Sequence, residues 1–238
     1  AEGVVSIYIS DDRKLGVIVE VNSETDFVAK GDDFQKFAAD IAAVVAATNP
    51  ADIDALNATK LSSGETVDEA RRALIAKLGE NITVRRFERI EAEGDAVVSS
   101  YQHGLKIGVL VESVGGNKDL GKDLAMHIAA MKPICVSTDQ VPAEAVEKEK
   151  EVFSAQAAES GKPAEIIEKM ISGRINKFLN EVALHGQDFD KDSSTSVGKL
   201  LKAENANVVK FTRVEVGEGI EKKVEDFAAE VAAQAKGV

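Results

Sequence analysis

The chain has 238 residues, 44% of them hydrophobic and 29% charged, with a formal net charge of -12. That is enough apolar material for one large or two modest cores, and the acid excess argues against gripping nucleic-acid phosphates or an anionic membrane surface. The single cysteine, Cys135, excludes an internal disulfide, and apolar runs such as Ile41 to Ala47 are too short and too Ala-rich to span a bilayer.

The opening Ala1-Glu2-Gly3 lacks methionine and a basic n-region, and reads as a processed product or a fragment without a secretory signal. Gly16 to Val21 is a buried apolar segment. At Ser23-Glu24-Thr25-Asp26-Phe27-Val28-Ala29-Lys30 it gives way to a helical pattern. An acid beside a large aromatic at such a bend can act as a wedge, the carboxylate supplying charge and the ring a body to drive into a neighbour's packing. The residues alone leave a plainer reading open, and composition favours it: Phe27 as a core residue and Asp26 as a residue that caps or favours the following helix start.

The next helix carries Phe34, Phe37, Ala38, Ile41 and Val45 at spacings of three and four. Thr66-Val67-Asp68-Glu69 is a capping box, and Gly79 stops the helix it opens. Residues 82 to 91 and 97 to 112 read as strands, with Glu93-Gly94-Asp95 as the turn. A second Ala-rich helix bears Leu120, Leu124, Ile128 and Met131 and is closed by Pro133. Residues 143 to 159 and 163 to 180 then form two helical runs joined by Ser160-Gly161-Lys162-Pro163. Val146 and Phe153 mark one face, and Ile167, Met170, Arg174 and Phe178 the other, which predicts a projecting antiparallel coiled-coil hairpin inserted at 143–180. Ser196 caps a short helix with Val197, Leu200 and Leu201. Val224, Phe227, Ala228 and Val231 stripe a C-terminal helix over 221–236.

The chain repeats itself loosely. Gly16 to Val21 is echoed by Gly108 to Ser113, Phe37 to Ala43 by Leu124 to Ala130, and Val84 to Glu91 by Val208 to Glu215. The expected fold is therefore α+β: two related subdomains, residues 1–100 and 101–238, each a small antiparallel sheet backed by helices.

A conventional reaction centre is not visible. His103, His127 and His185 lie neither four residues from another histidine nor close to Cys135, so no zinc pattern exists. There is no phosphate-binding loop, dinucleotide fingerprint or nucleophile elbow. The expectation is a protein that is not an enzyme and holds no metal or cofactor of its own.

The stretch Val19-Glu-Val-Asn-Ser-Glu-Thr-Asp-Phe-Val-Ala-Lys30 resembles the signature of the translation elongation factor Ts family. Further likeness follows in family order: Leu78-Gly-Glu-Asn-Ile-Thr-Val-Arg-Arg86, Tyr101-Gln-His-Gly104 with Ile107 to Val111, Ala125 to Ala130 with Lys132-Pro133, and Ser160 to Pro163 with Gly173-Arg174. Gln187 with Phe189, Val197-Gly198, and Phe227 to Val231 complete it. Members usually begin with a small helical domain resembling ubiquitin-associated domains, and nothing before Val4 here is expected to form it.

The resemblance implies a guanine-nucleotide exchange factor that binds elongation factor Tu and releases GDP during translation elongation. It implies that Thr25, Asp26, Phe27 and Val28 form the exchange wedge, and that the magnesium and the GDP or GTP belong to the partner. It points to a second contact at His127 bordered by Ile107 and Gly108. The residues leave another reading beside it: a satisfied imidazole and two plain strand positions. The expected setting is the bacterial cytoplasm, or an organelle matrix or stroma, with a homodimer or a heterotetramer with the partner as possible assemblies. Two other classes remain open: a structural or ribosome-associated interaction protein using the hairpin, and, disfavoured by the missing site, an enzyme.

Overall fold

A computed structural model describes residues 1–220. The expected C-terminal helix over 221–236 lies outside the described residues. Strand β1 (Glu2–Ile9) pairs antiparallel with β2 (Leu15–Ser23). Next come α1 (Asp26–Ala29), α2 (Asp32–Thr48), α3 (Ile53–Ala58) and α4 (Val67–Leu78). Strand β3 (Thr83–Glu91) then returns antiparallel beside β2, giving a three-stranded sheet in the order β1-β2-β3.

Central strand β2 is apolar at Val17, Ile18, Val19 and Val21 because both its faces are covered. On one face Val17, Val19 and Val21 join Phe34, Phe37, Ala38 and Ile41 of α2 in a continuous core. On the other, Gly108 comes so close that a Cβ there would lie 2.6 Å from Val5 and 3.0 Å from Ile18. Glu20 also lies on that face and is fully buried. It pairs with Arg86 while Val21 pairs with Val84, so Arg85 is the extra residue of a bulge. The bulge lets both arginines reach one carboxylate. Arg85 Nη1 donates to Glu20 at 2.9 Å and Arg86 Nε at 2.6 Å. Asn22 Nδ2 and the Gly217 N–H donate to it at 2.8 and 3.0 Å. Burial pushes this carboxyl up, but these bonds outweigh burial and hold it below the usual carboxylate range.

Strands β4 (Val97–His103) and β5 (Ile107–Val114) follow, and the expected strand over 97–112 is thus two strands around a turn at Gly104, whose φ is 59°. Then come α5 (Leu120–Met131), the long helices α6 (Ala143–Ala158) and α7 (Ala164–Val182), and the short strands β6 (Asp188–Phe189) and β7 (Asp192–Ser196). Helix α8 (Val197–Ala203) and strand β8 (Asn207–Glu215) complete the described elements. The second three-stranded sheet has the order β4-β5-β8, so the repeated segments at 84 and 208 occupy equivalent edge strands of their sheets. Small antiparallel sheets backed by helices make this an α+β fold, as the sequence repeat predicts. Helices α6 and α7 pack on each other as the hairpin, with Arg174 paired to Glu149 at 3.3 Å and lying over the Phe153 ring.

By compactness the chain divides into two units. Among the described residues, one holds Ala1–Ala92, Ser100–Leu110 and 212–220; the other holds Glu93–Ser99 and Val111–Phe211. The chain passes between these units more than once, whereas the sequence repeat suggests one division, between residues 100 and 101. Among the described residues no helix is long and apolar enough to cross a membrane.

Candidate functional site

The turn between β2 and α2 holds the four residues singled out by sequence. Thr25 is the N-cap of α1, and its Oγ1 accepts the Val28 N–H at 3.3 Å. Asp26 and Phe27 occupy the first turn. Val28 is partly buried against the core around Phe34, and Ala29 is buried. The next helical step is closed by the Gly31 N–H, which donates to the Val28 carbonyl at 3.0 Å, and by Gln35 Nε2, which donates to the Lys30 carbonyl at 3.1 Å.

One turn of helix thus has an inward side, Val28 and Ala29, and an outward side, Asp26 and Phe27. Phe27 is 85% exposed. The reading of Phe27 as a core residue therefore fails, because the core beneath it is filled by Ala29, Val28 and Phe34. Asp26 projects beside it and forms an ion pair with Lys30 at 3.3 Å, one helical turn on. The Lys30 hydrogen bond, then its charge, holds the Asp26 carboxyl below the usual carboxylate range. Thr25, not Asp26, is the cap. Chemically the arrangement offers a large apolar ring and an adjacent anion, both exposed on a capped turn. Nothing here resembles an acid-base pair, and among the described residues no cluster of His, Cys, Asp and Glu is arranged to hold a metal ion.

The other three expected contact residues are placed differently. Ile107 is half-buried at the start of β5, and Gly108 is buried behind it. Gly108 serves close packing: there is no room for a side chain against Val5, Ile7 and Ile18. His127, which the resemblance places at a second contact, makes polar and ring contacts within its own unit. It is fully buried on α5. Its Nδ1 accepts the Asp190 N–H at 3.0 Å, so the proton sits on Nε2, which donates to Gln187 Oε1 at 2.9 Å. Gln187 in turn donates to the carbonyls of Met131 and Glu181. The ring also stacks on Phe189, centroids 5.9 Å apart. Burial pushes the imidazole's pKa down, with the Gln187 bond and Asp190 opposing, which fits a neutral structural histidine. Ile107 and Gly108 belong to the first compact unit and His127 to the second.

One residue at the site carried no role in the sequence reading. Glu80, two positions beyond the end of α4, accepts hydrogen bonds from the segment that opens α1. Sequence shows only that Gly79 stops the helix and that a carboxylate follows it; the contact itself joins segments 55 and 56 positions apart.

Comparison with known proteins places this turn in context. The family model described as elongation factor TS matches residues 24–218. The chain is 58% identical over 236 residues to elongation factor Ts of Methylococcus capsulatus, covering 99% of this chain and 80% of that protein. It is 58% identical over 237 residues to elongation factor Ts of Thioalkalivibrio sulfidiphilus, covering 100% and 80%. It is 53% identical over 236 residues to elongation factor Ts of Legionella pneumophila, covering 99% and 80%.

Proposed function

Because the chain belongs to the elongation factor Ts family, we propose that its displayed turn is the working part of a guanine-nucleotide exchange factor. The partner is elongation factor Tu, and the outcome is release of GDP during translation elongation. The observation that carries this reading is the exposure of Phe27 on a capped and anchored turn. A ring held out in water gains its full burial only against another protein.

Thr25 and Val28 hold the turn, and Asp26 and Phe27 act. The Phe27 ring enters between two helices beside the partner's nucleotide site, and Asp26 holds the displaced helix. That displacement disturbs the magnesium site and the phosphate loop, which loosens GDP. The magnesium and the nucleotide are the partner's. No bond is made or broken, so this chain changes an equilibrium between partner conformations and hydrolyses nothing. The coupling is reciprocal: whatever factor by which the wedge weakens nucleotide, nucleotide weakens the wedge. The setting proposed is the bacterial cytoplasm, in keeping with the bacterial relatives.

The test is a titration of elongation factor Tu loaded with fluorescent GDP, chased with excess unlabelled GDP. Substoichiometric amounts of this chain should accelerate release, turning over many partner molecules. Binding without acceleration would favour instead an interaction protein acting through the α6–α7 hairpin.

A further inference from the structure

Glu80 sits just beyond the left-handed residue that ends α4, Gly79 with φ 76°. There it faces a segment 55 and 56 positions away in the chain. Its Oε2 accepts the backbone N–H groups of Glu24 at 3.2 Å and Thr25 at 3.1 Å, and its Oε1 accepts the Thr25 hydroxyl at 2.5 Å. We propose that Glu80 is a positioning residue for nucleotide exchange: it fixes the aim of Phe27 by locking the Thr25 cap. This rests on the wedge reading given above and names a further residue on which that wedge depends.

A hydroxyl donates once and accepts through its lone pairs. Glu80 accepts that one hydrogen bond, so the lone pairs are left facing the Val28 N–H, which Thr25 accepts at 3.3 Å. The carboxylate therefore orients the cap that starts α1. It also engages the Glu24 and Thr25 amides, which precede the helix. On the other side, Ser23 Oγ donates to the Thr25 carbonyl at 2.9 Å. Thr25 is thus held at its amide, its side chain and its carbonyl. Phe27, two residues on and largely free of packing, takes its direction from that backbone. A turn of four residues has no length of its own to stiffen it, since isolated helices this short do not persist in water. Without Glu80 the ring would sample many directions, and ordering it would oppose every insertion.

Two variants and two measurements test this. Glu80→Ala removes every acceptor, whereas Glu80→Gln keeps one carbonyl oxygen for the amides and can offer its N–H to Thr25. In the free protein, amide hydrogen exchange at Glu24, Thr25 and Val28 should speed up in Glu80→Ala, with protection in β2 and α2 unchanged. At saturating factor, release of labelled GDP from elongation factor Tu should slow about tenfold in Glu80→Ala and recover most of the way in Glu80→Gln, the size expected for losing charge-assisted bonds. Unaltered amide protection in Glu80→Ala overturns the proposal. So does loosened protection with wild-type release, provided Phe27→Ala still brings release down toward the spontaneous rate; the wedge would then stand without Glu80. If Phe27→Ala leaves release at the wild-type rate, the wedge reading itself falls and takes this inference with it.

Discussion

At the residue scale, the four side chains of the turn divide by what they touch: Thr25 caps the turn and Val28 packs on the core, while Asp26 and Phe27 face outward. Asp26 is paired with a surface lysine, a contact worth little to stability. Asp26→Asn should therefore leave thermal unfolding near wild type and reduce GDP release less than Phe27→Ala. Asn keeps the shape and loses the charge. The opposite ordering of the two variants would mean that the carboxylate acts chiefly on the partner's magnesium shell. His127 gives a different prediction. Its folded-state pKa is depressed, so the unfolded chain binds the extra proton first as pH falls. Its contribution is present above the ordinary histidine range and is lost as pH drops through about 6.5, with a limit of about 1.4 kcal/mol per pH unit. Urea unfolding between pH 7.5 and 5.5 should show this slope, and His127→Asn should be less stable and flatter. A slope that survives the substitution would place its origin elsewhere. Sequence could have anticipated His127, which falls three residues after Leu124 on the apolar stripe of α5. Phe27 could not be settled the same way, because a four-residue turn shows no period from which to read its inner face.

At the element scale, the hairpin shows how little of a long helix pair a core can require. Of α6 only Ala157 is buried, and none of α7 is. The chain on either side is tied together independently: the Ile134 N–H donates to the Val182 carbonyl and the Leu184 N–H to the Cys135 carbonyl. Replacing residues 143–180 by a short linker should leave a cooperatively folding remainder, followed by circular dichroism melts. Global unfolding of that protein would show the hairpin to be part of the core. The β2–β3 pair makes the reverse case. Glu20→Gln breaks the buried pairing with Arg85 and Arg86 and should cost about 3 kcal/mol in urea unfolding, since two guanidinium groups lose their shared carboxylate. A cost near zero would mean that water replaces the carboxylate. The caps at Thr66, Gly79 and Ser196 and the hairpin turn were legible because each depends on local chemistry. The bulge at Arg85 and the reach of Glu80 to residues 24 and 25 were not, because each joins segments more than fifty residues apart.

At the scale of the whole molecule, the repeat in the sequence becomes two sheets with equivalent strand order, and the family signature becomes one exposed turn on the first of them. The fold supplies rigidity under that turn: a fully covered strand leads into it, a filled core lies below it, and a carboxylate braces its cap. The central claim is that Phe27 acts on a partner and does not hold this chain together. The most direct measurement pairs thermal unfolding of Phe27→Ala with stopped-flow release of fluorescent GDP from elongation factor Tu. The account predicts unfolding within about 0.5 kcal/mol of wild type, as for other exposed positions, and release reduced toward the spontaneous rate. A variant that melts several degrees early yet releases GDP at the wild-type rate per folded molecule would contradict it.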